Sequence, residues 1–225
     1  LMVKEAEWLP GALADPETAL ADVLAQDASL AELPGMLRRA KRRVALLTGL
    51  ADLAGVWPLE QVTGALTALA DRAVDLSIRR LVEDEVRRGK LPDARDAGGM
   101  VAIAMGKMGA GELNYSSDID LICLFDETRY GEDWQEARQA FVRVTRKMTA
   151  ILSDNTSEGY VFRTDLRLRP DASVTPVCIS MAAAESYYES VGRTWERAVY
   201  IKARPCGGDL AAGERFLQAL TPFVW

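Results

Sequence analysis

The chain has 225 residues, 49% apolar and 27% charged, enough to bury a core as one large or two small domains and too apolar for disorder. Its net charge of −6 argues against a protein that coats nucleic acid, because binding a polyanion needs a basic face. It contains no histidine, which removes serine–histidine and cysteine–histidine nucleophiles and histidine-ligated zinc. Any general base is therefore a carboxylate, a lysine or a tyrosine.

No apolar run approaches a membrane span, and the opening Leu1 to Glu7 lacks the basic-then-apolar order of a signal peptide. The cysteines Cys123, Cys178 and Cys206 are widely separated and odd in number, which suits reduced thiols. A cytoplasmic protein with no membrane or nucleic-acid partner is expected. Leu1 precedes Met2, and the chain stops on Pro222-Phe223-Val224-Trp225, a bulky apolar end that predicts a fragment of a longer protein.

In chain order, the first 90 or so residues read as helical. The basic run Arg38-Arg39-Ala40-Lys41-Arg42-Arg43, flanked by Leu37, Val44 and Leu47, is expected to be a solvated helix face or a partner contact. From Leu59, the positions Val62, Leu66, Leu69, Ala73 and Leu76 keep helical spacing, with Pro58 suited to the first turn and Gly89 to a stop. Lys90 to Gly99 is polar and rich in breakers, so it predicts a boundary between a helical region, 1–95, and a second domain, 96–225.

Met100 to Met105 then reads as a short buried strand, and Gly106 and Gly109 fall where it must turn, close enough for backbone to approach a phosphate. Asp118 to Phe125 reads as a second strand, whose period of two puts Asp118 and Asp120 on one face. Two such carboxylates repel unless a cation lies between them, and hard divalent ions such as magnesium prefer oxygen ligands. Glu132 to Ser153 carries one apolar stripe and predicts a helix covering a sheet. A third strand is expected over Tyr160 to Arg169, with Arg163, Asp165, Arg167 and Arg169 on one face and Phe162, Leu166 and Leu168 on the other. Val174 to Ile179 reads as a further strand, and Ala182 to Val191, Thr194 to Arg204 and Asp209 to Leu220 read as helices. The fold class is mixed α/β, a small mixed sheet between an N-terminal helical region and C-terminal helices.

A glycine after the first strand, Asp-x-Asp after about ten residues, and a third acid on a later strand resemble the DNA polymerase β-type nucleotidyltransferase superfamily. Gly106, Asp118, Asp120 and Asp165 match in order. More narrowly, three blocks resemble the bacterial glutamine synthetase adenylyltransferase family, whose members both add and remove adenylyl groups. These are Gly106 to Leu121, Gly159 to Pro170, and Gly192 to Arg197 with Lys202-Ala203-Arg204. That family carries two nucleotidyltransferase domains in one chain. Leu113-Asn114-Tyr115-Ser116-Ser117-Asp118-Ile119-Asp120, Tyr160-Val161-Phe162-Arg163 and Trp195-Glu196-Arg197 are similar to its N-terminal, adenylyl-removing domain. Asp171 to Thr175 departs from the pattern by lacking glycines.

The resemblance implies in-line nucleotidyl transfer with magnesium, as a pair of ions, held by Asp118, Asp120 and Asp165. Asp165 is expected to act as ligand or proton acceptor, or else to be tied up by an arginine. Arg167 and Arg169 either grip phosphate oxygens or pair along their own strand. Gly106, Ser116 and Ser117 would meet phosphate through backbone and hydroxyl donors, with turn capping as the alternative for the serines. Lys107 would neutralise phosphate or cover a nearby acid, while Trp195-Glu196-Arg197 is expected to be a packed tryptophan with a tethering ion pair.

The implied partners are glutamine synthetase, ATP or ADP, inorganic phosphate, and a nitrogen-signal protein acting through the longer chain. The implied reaction is phosphorolysis of AMP-tyrosine. Adenylylation from ATP and a non-catalytic nucleotide- or partner-binding module are the alternatives.

Overall fold

In a computed structural model describing residues 2–225, ten α-helices surround one small mixed sheet. The N-terminal half is helical, as its periodicity requires: α1 (Leu9–Ala14), α2 (Pro16–Ala25), α3 (Leu33–Leu53) and α4 (Leu59–Arg87). Pro58 precedes α4, and Gly89, at φ +67°, follows its end. The α4 helix has 29 residues and is about 43 Å long. It packs against α3, against α6 (Trp134–Ser153) and against the sheet.

Five strands form that sheet: β1 (Met100–Ala104), β2 (Ile119–Phe125), β3 (Thr164–Asp165), β4 (Cys178–Ser180) and β5 (Arg204–Gly208). β1 lies antiparallel between β2 and β5. The other edge of β2 is shared by two short parallel partners, β3 beside its first two residues and β4 beside its last three. Between β3 and β4 the chain leaves the sheet.

Both faces of β1 and β2 are covered, which explains their continuous apolar runs. Met100, Ala102, Ala104, Leu121, Cys123 and Phe125 join the core formed with the N-terminal helices and α6. Val101, Ile103, Ile122 and Leu124 face a second core. That second core is built with Ala184 and Tyr188 of α7 (Met181–Ser190), Tyr200 of α8 (Thr194–Tyr200), Phe216 of α9 (Leu210–Ala219) and Phe223 of α10 (Thr221–Val224). The helical region and the sheet thus share one continuous apolar core. All three cysteines are free and buried, and burial pushes the Cys123 thiol up to about 12. No helix of the described residues is long and apolar enough to cross a membrane.

Several elements differ from the sequence expectation. The helix expected over Thr194 to Arg204 stops at Tyr200, and Arg204–Gly208 is a strand paired with β1. The strand expected over Tyr160 to Arg169 keeps only Thr164 and Asp165, and the chain turns from Arg167 onward. The basic run on α3 is not a solvated face. Arg38 is buried and donates to the carbonyls of Gly159 and Pro34, Arg42 and Arg43 grip the buried Glu5, and Lys41 lies over the Phe162 ring. Trp195 is half exposed rather than packed, and the tether is the buried Glu196, which accepts from the Arg193 N–H and the Tyr187 hydroxyl.

Candidate active site

The site starts where β1 ends. Met105 leads into α5 (Gly106–Gly109), a single helical turn, and its N–H donates to the Asp120 carbonyl at 3.0 Å, tying the turn to β2. Gly106 has φ +56°, and a Cβ there would lie 3.2 Å from Asp120 Oδ2. Gly109 is constrained by contact instead: its Cβ would lie 2.0 Å from the Lys202 carbonyl oxygen. Glycine is therefore demanded at both positions, once by dihedral angle and once by space.

Asp120 and Asp165 are direct register partners in the parallel pair β2–β3, which brings two carboxylates to neighbouring positions on one edge. Asp118 stands just before β2, two residues from Asp120, and the three acids interact electrostatically. Their immediate partners differ. Asp118 pairs with Arg163, whose guanidinium also donates to the Ser116 carbonyl at 2.8 Å and the Tyr160 hydroxyl at 3.0 Å. Asp165 accepts from Arg167 Nε at 3.0 and 2.9 Å through its two oxygens, and from the Arg167 backbone N–H at 2.8 Å. The Asp120 carboxylate has no hydrogen-bond or ion-pair partner among the described residues.

These contacts set the proton affinities. Burial, then the negative charges of Asp165 and Asp118, push the Asp120 carboxyl above its ordinary value, with Arg167 opposing. The hydrogen bonds from Arg167 hold Asp165 below the usual carboxylate range against its partial burial. The three side chains thus offer only oxygen donors, and the Asp120 charge is opposed only at a distance by Arg167, with no cation in contact with it. That chemistry fits a hard divalent ion. Among the described residues no three acids or thiols converge as a ready metal cage, and Asp118 and Asp165 are each turned onto an arginine.

The remaining candidates are divided by the fold. Arg167 is at the acids, but Arg169 is spent on the β3–β4 loop, where its nitrogens donate to the carbonyls of Leu166, Ala172, Thr175 and Pro176 at 2.8–3.3 Å. The shared face expected for the two arginines is lost because the strand ends at Asp165. Lys107 is exposed on α5 with no ion-pair partner among the described residues. Ser117 donates its hydroxyl to Asn114 Oδ1 at 2.6 Å, and Ser116 offers its carbonyl to Arg163. The Ser117 hydroxyl is thus engaged within the turn, while the Ser116 hydroxyl makes no hydrogen bond among the described residues.

Arg163 is the site residue without a role in the sequence reading, although it lies two positions before Asp165. Tyr160, partly exposed beside Arg163, and Tyr115, whose hydroxyl donates to Asp52 at 3.1 Å, are likewise new.

An α/β domain whose glycine turn meets an oxygen-only acid cluster on a parallel strand pair is the class that fold and site define. The chain belongs to the glutamate-ammonia ligase adenylyltransferase family, whose model matches residues 3–219. It is 52% identical over 225 residues, 94% of the chain, to the bifunctional glutamine synthetase adenylyltransferase/adenylyl-removing enzyme of Bradyrhizobium diazoefficiens. Enzymes of the same name from Rhodopseudomonas palustris and Xanthobacter autotrophicus are 50% and 48% identical over 95% and 94% of the chain. The chain spans 22% of the length of each of these relatives.

Proposed function

We propose that this chain is a magnesium-dependent nucleotidyl-transfer domain that acts on glutamine synthetase and removes AMP from its modified tyrosine. The observation that carries the reading is the pairing of Asp120 with Asp165 across β2–β3, with Asp118 beside them and Gly106 against Asp120. The names of the relatives supply the substrate class. The removing direction rests on the likeness of the Leu113 to Asp120 and Tyr160 to Arg163 blocks to the family's adenylyl-removing domain.

Asp118, Asp120 and Asp165 would hold the metal, Asp118 and Asp165 by giving up their arginines. Bound there, magnesium supplies charge stabilisation for the oxygens around the reacting phosphorus. The chain's own residues orient the reactants. Gly106, with no side chain, lets a phosphate approach the turn, and Lys107 offsets its charge. Arg163 and Arg167, released from the acids, present forked donors to phosphate oxygens.

In the reaction, an oxygen of inorganic phosphate forms a new bond to the AMP phosphorus and the bond to the tyrosine oxygen breaks. The phosphate's proton ends on that oxygen. The products are ADP and unmodified tyrosine.

Adenylylated glutamine synthetase incubated with the chain, magnesium and phosphate is expected to release ADP, and omitting phosphate is expected to stop it. Transfer of label from ATP to unmodified glutamine synthetase would instead establish the adding direction. Binding of nucleotide with neither reaction would establish a regulatory module.

A further inference from the structure

The Lys202-Ala203-Arg204 segment has no part in the acid cluster, yet it touches the glycine turn twice and the loop after it once. The Lys202 carbonyl occupies the space a Cβ of Gly109 would need. The Lys202 ammonium pairs with Glu112 at 3.0 Å, an exposed contact worth little by itself. Arg204 Nη2 donates to the Met108 carbonyl at 3.0 Å and, in the same stroke, to Asp71 Oδ1 at 2.9 Å. Arg204 also stands opposite Ala104, the last residue of β1 before the turn.

Asp71 belongs to a polar row on α4. Thr67, Asp71 and Asp75 are four residues apart and share one helix face. Thr67 Oγ1 accepts the Leu113 N–H at 3.2 Å, Asp71 holds Arg204, and Asp75 Oδ1 accepts the Gly208 N–H at 3.0 Å. Met108 and Leu113 bound the α5 turn and the loop that follows it, so α4 fixes both ends of that segment while fixing β5 as well.

We infer that Arg204, oriented by Asp71, is a positioning residue that sets where the Gly106–Gly109 turn sits relative to Asp120. It bonds none of Asp118, Asp120 and Asp165. Its effect passes through the Met108 carbonyl, and it rests on the proposed role of the turn in meeting phosphate. Were Arg204 only a counter-charge for the half-buried Asp71, a lysine would replace it. Both bonds leave the single Nη2, whose two N–H directions are fixed in the guanidinium plane while Nη1 donates to the Pro205 carbonyl at 3.4 Å, whereas a lysine ammonium turns freely and fixes neither direction.

The test uses the whole chain, with amide hydrogen exchange over Gly106 to Leu113 and the Kd for ADP with magnesium as readouts. Arg204→Gln is expected to speed exchange of these amides about tenfold and leave β1 and β2 unchanged. The same variant is expected to weaken Mg-ADP binding about tenfold. Arg204→Lys is expected to keep the melting temperature within about 2 °C of the parent while failing to restore turn protection or affinity. Lys202→Ala is expected to change each readout less than twofold, as suits an exposed pair. Unchanged turn exchange in Arg204→Gln, or full restoration of turn protection by lysine, would overturn the inference. If the parent chain binds no Mg-ADP while turn exchange still responds to Arg204→Gln, the bracket stands and the phosphate role of the turn falls.

Discussion

Asp120 and Asp165 stand directly opposite each other in the β2–β3 pairing, yet only Asp165 has a guanidinium of the protein's own, that of Arg167. The asymmetry makes Asp120 the charge that an incoming cation would relieve.

Asp120 gives the first prediction. Its carboxyl has a raised proton affinity in the fold, so its contribution is favourable at acid pH and is lost as pH rises through the folded value. At neutral pH the ionised group is a liability. Asp120→Asn is expected to raise the melting temperature at pH 7 without magnesium by about 2–4 °C, and to lose that gain near pH 3. Magnesium is expected to raise the melting temperature of the parent and leave the variant unmoved. Scanning calorimetry with and without the ion measures both.

Arg163 competes for the same site. Because it pairs with Asp118, Arg163→Gln is expected to tighten magnesium binding about fivefold in the absence of nucleotide, the scale of a screened surface pair. Calorimetric titration reads the affinity. An unchanged value would mean that the arginine and the ion do not exclude each other.

The ammonium of Lys41 lies 3.9 Å from the Phe162 ring centroid, and burial pushes its pKa down to about 8. The unfolded chain holds that proton to higher pH, so the stability penalty is full below about pH 8 and fades toward about pH 10.4. Lys41→Met is expected to stabilise the fold by about 2 kcal/mol at pH 7 and much less at pH 10, measured by urea melts at the two pH values.

Arg38 ties α3 to the segment leading into β3. It donates to the carbonyls of Gly159, Pro34 and Ile151 at 2.8–3.2 Å, and also to that of Asp154. Arg38→Met leaves those acceptors buried without a donor and is expected to cost about 3 kcal/mol, lowering the melting temperature by about 6–12 °C. A lysine is expected to recover only part of this, since it cannot reach several carbonyls at once.

The helices α4 and α6 were legible from their apolar period and β1 and β2 from their short continuous apolar runs, which place Asp120 in β2 and Asp118 just before it. Asp165 was legible too, but its surroundings were not. The alternating charges after it mimic a strand, whereas Arg169 gathers the carbonyls of a loop and ends the strand at two residues. β5 was hidden for a related reason. Arg204–Gly208 holds one proline and two glycines, and it becomes a strand through pairing with β1 and the close approach of Gly207 to Asp75, 2.9 Å from where a Cβ would sit. The arginines of α3 were misjudged because composition marks charge as solvated. Only the tertiary fold shows that their partners are a buried glutamate and backbone carbonyls.

The most direct test of the metal site is anomalous diffraction from crystals of the chain grown with manganese and ADP. A peak is expected about 2.1–2.3 Å from carboxylate oxygens of Asp120 and Asp165, with Arg167 turned from Asp165 toward the phosphates. A peak away from these carboxylates, or ADP bound with manganese absent and both arginine pairs intact, would contradict it.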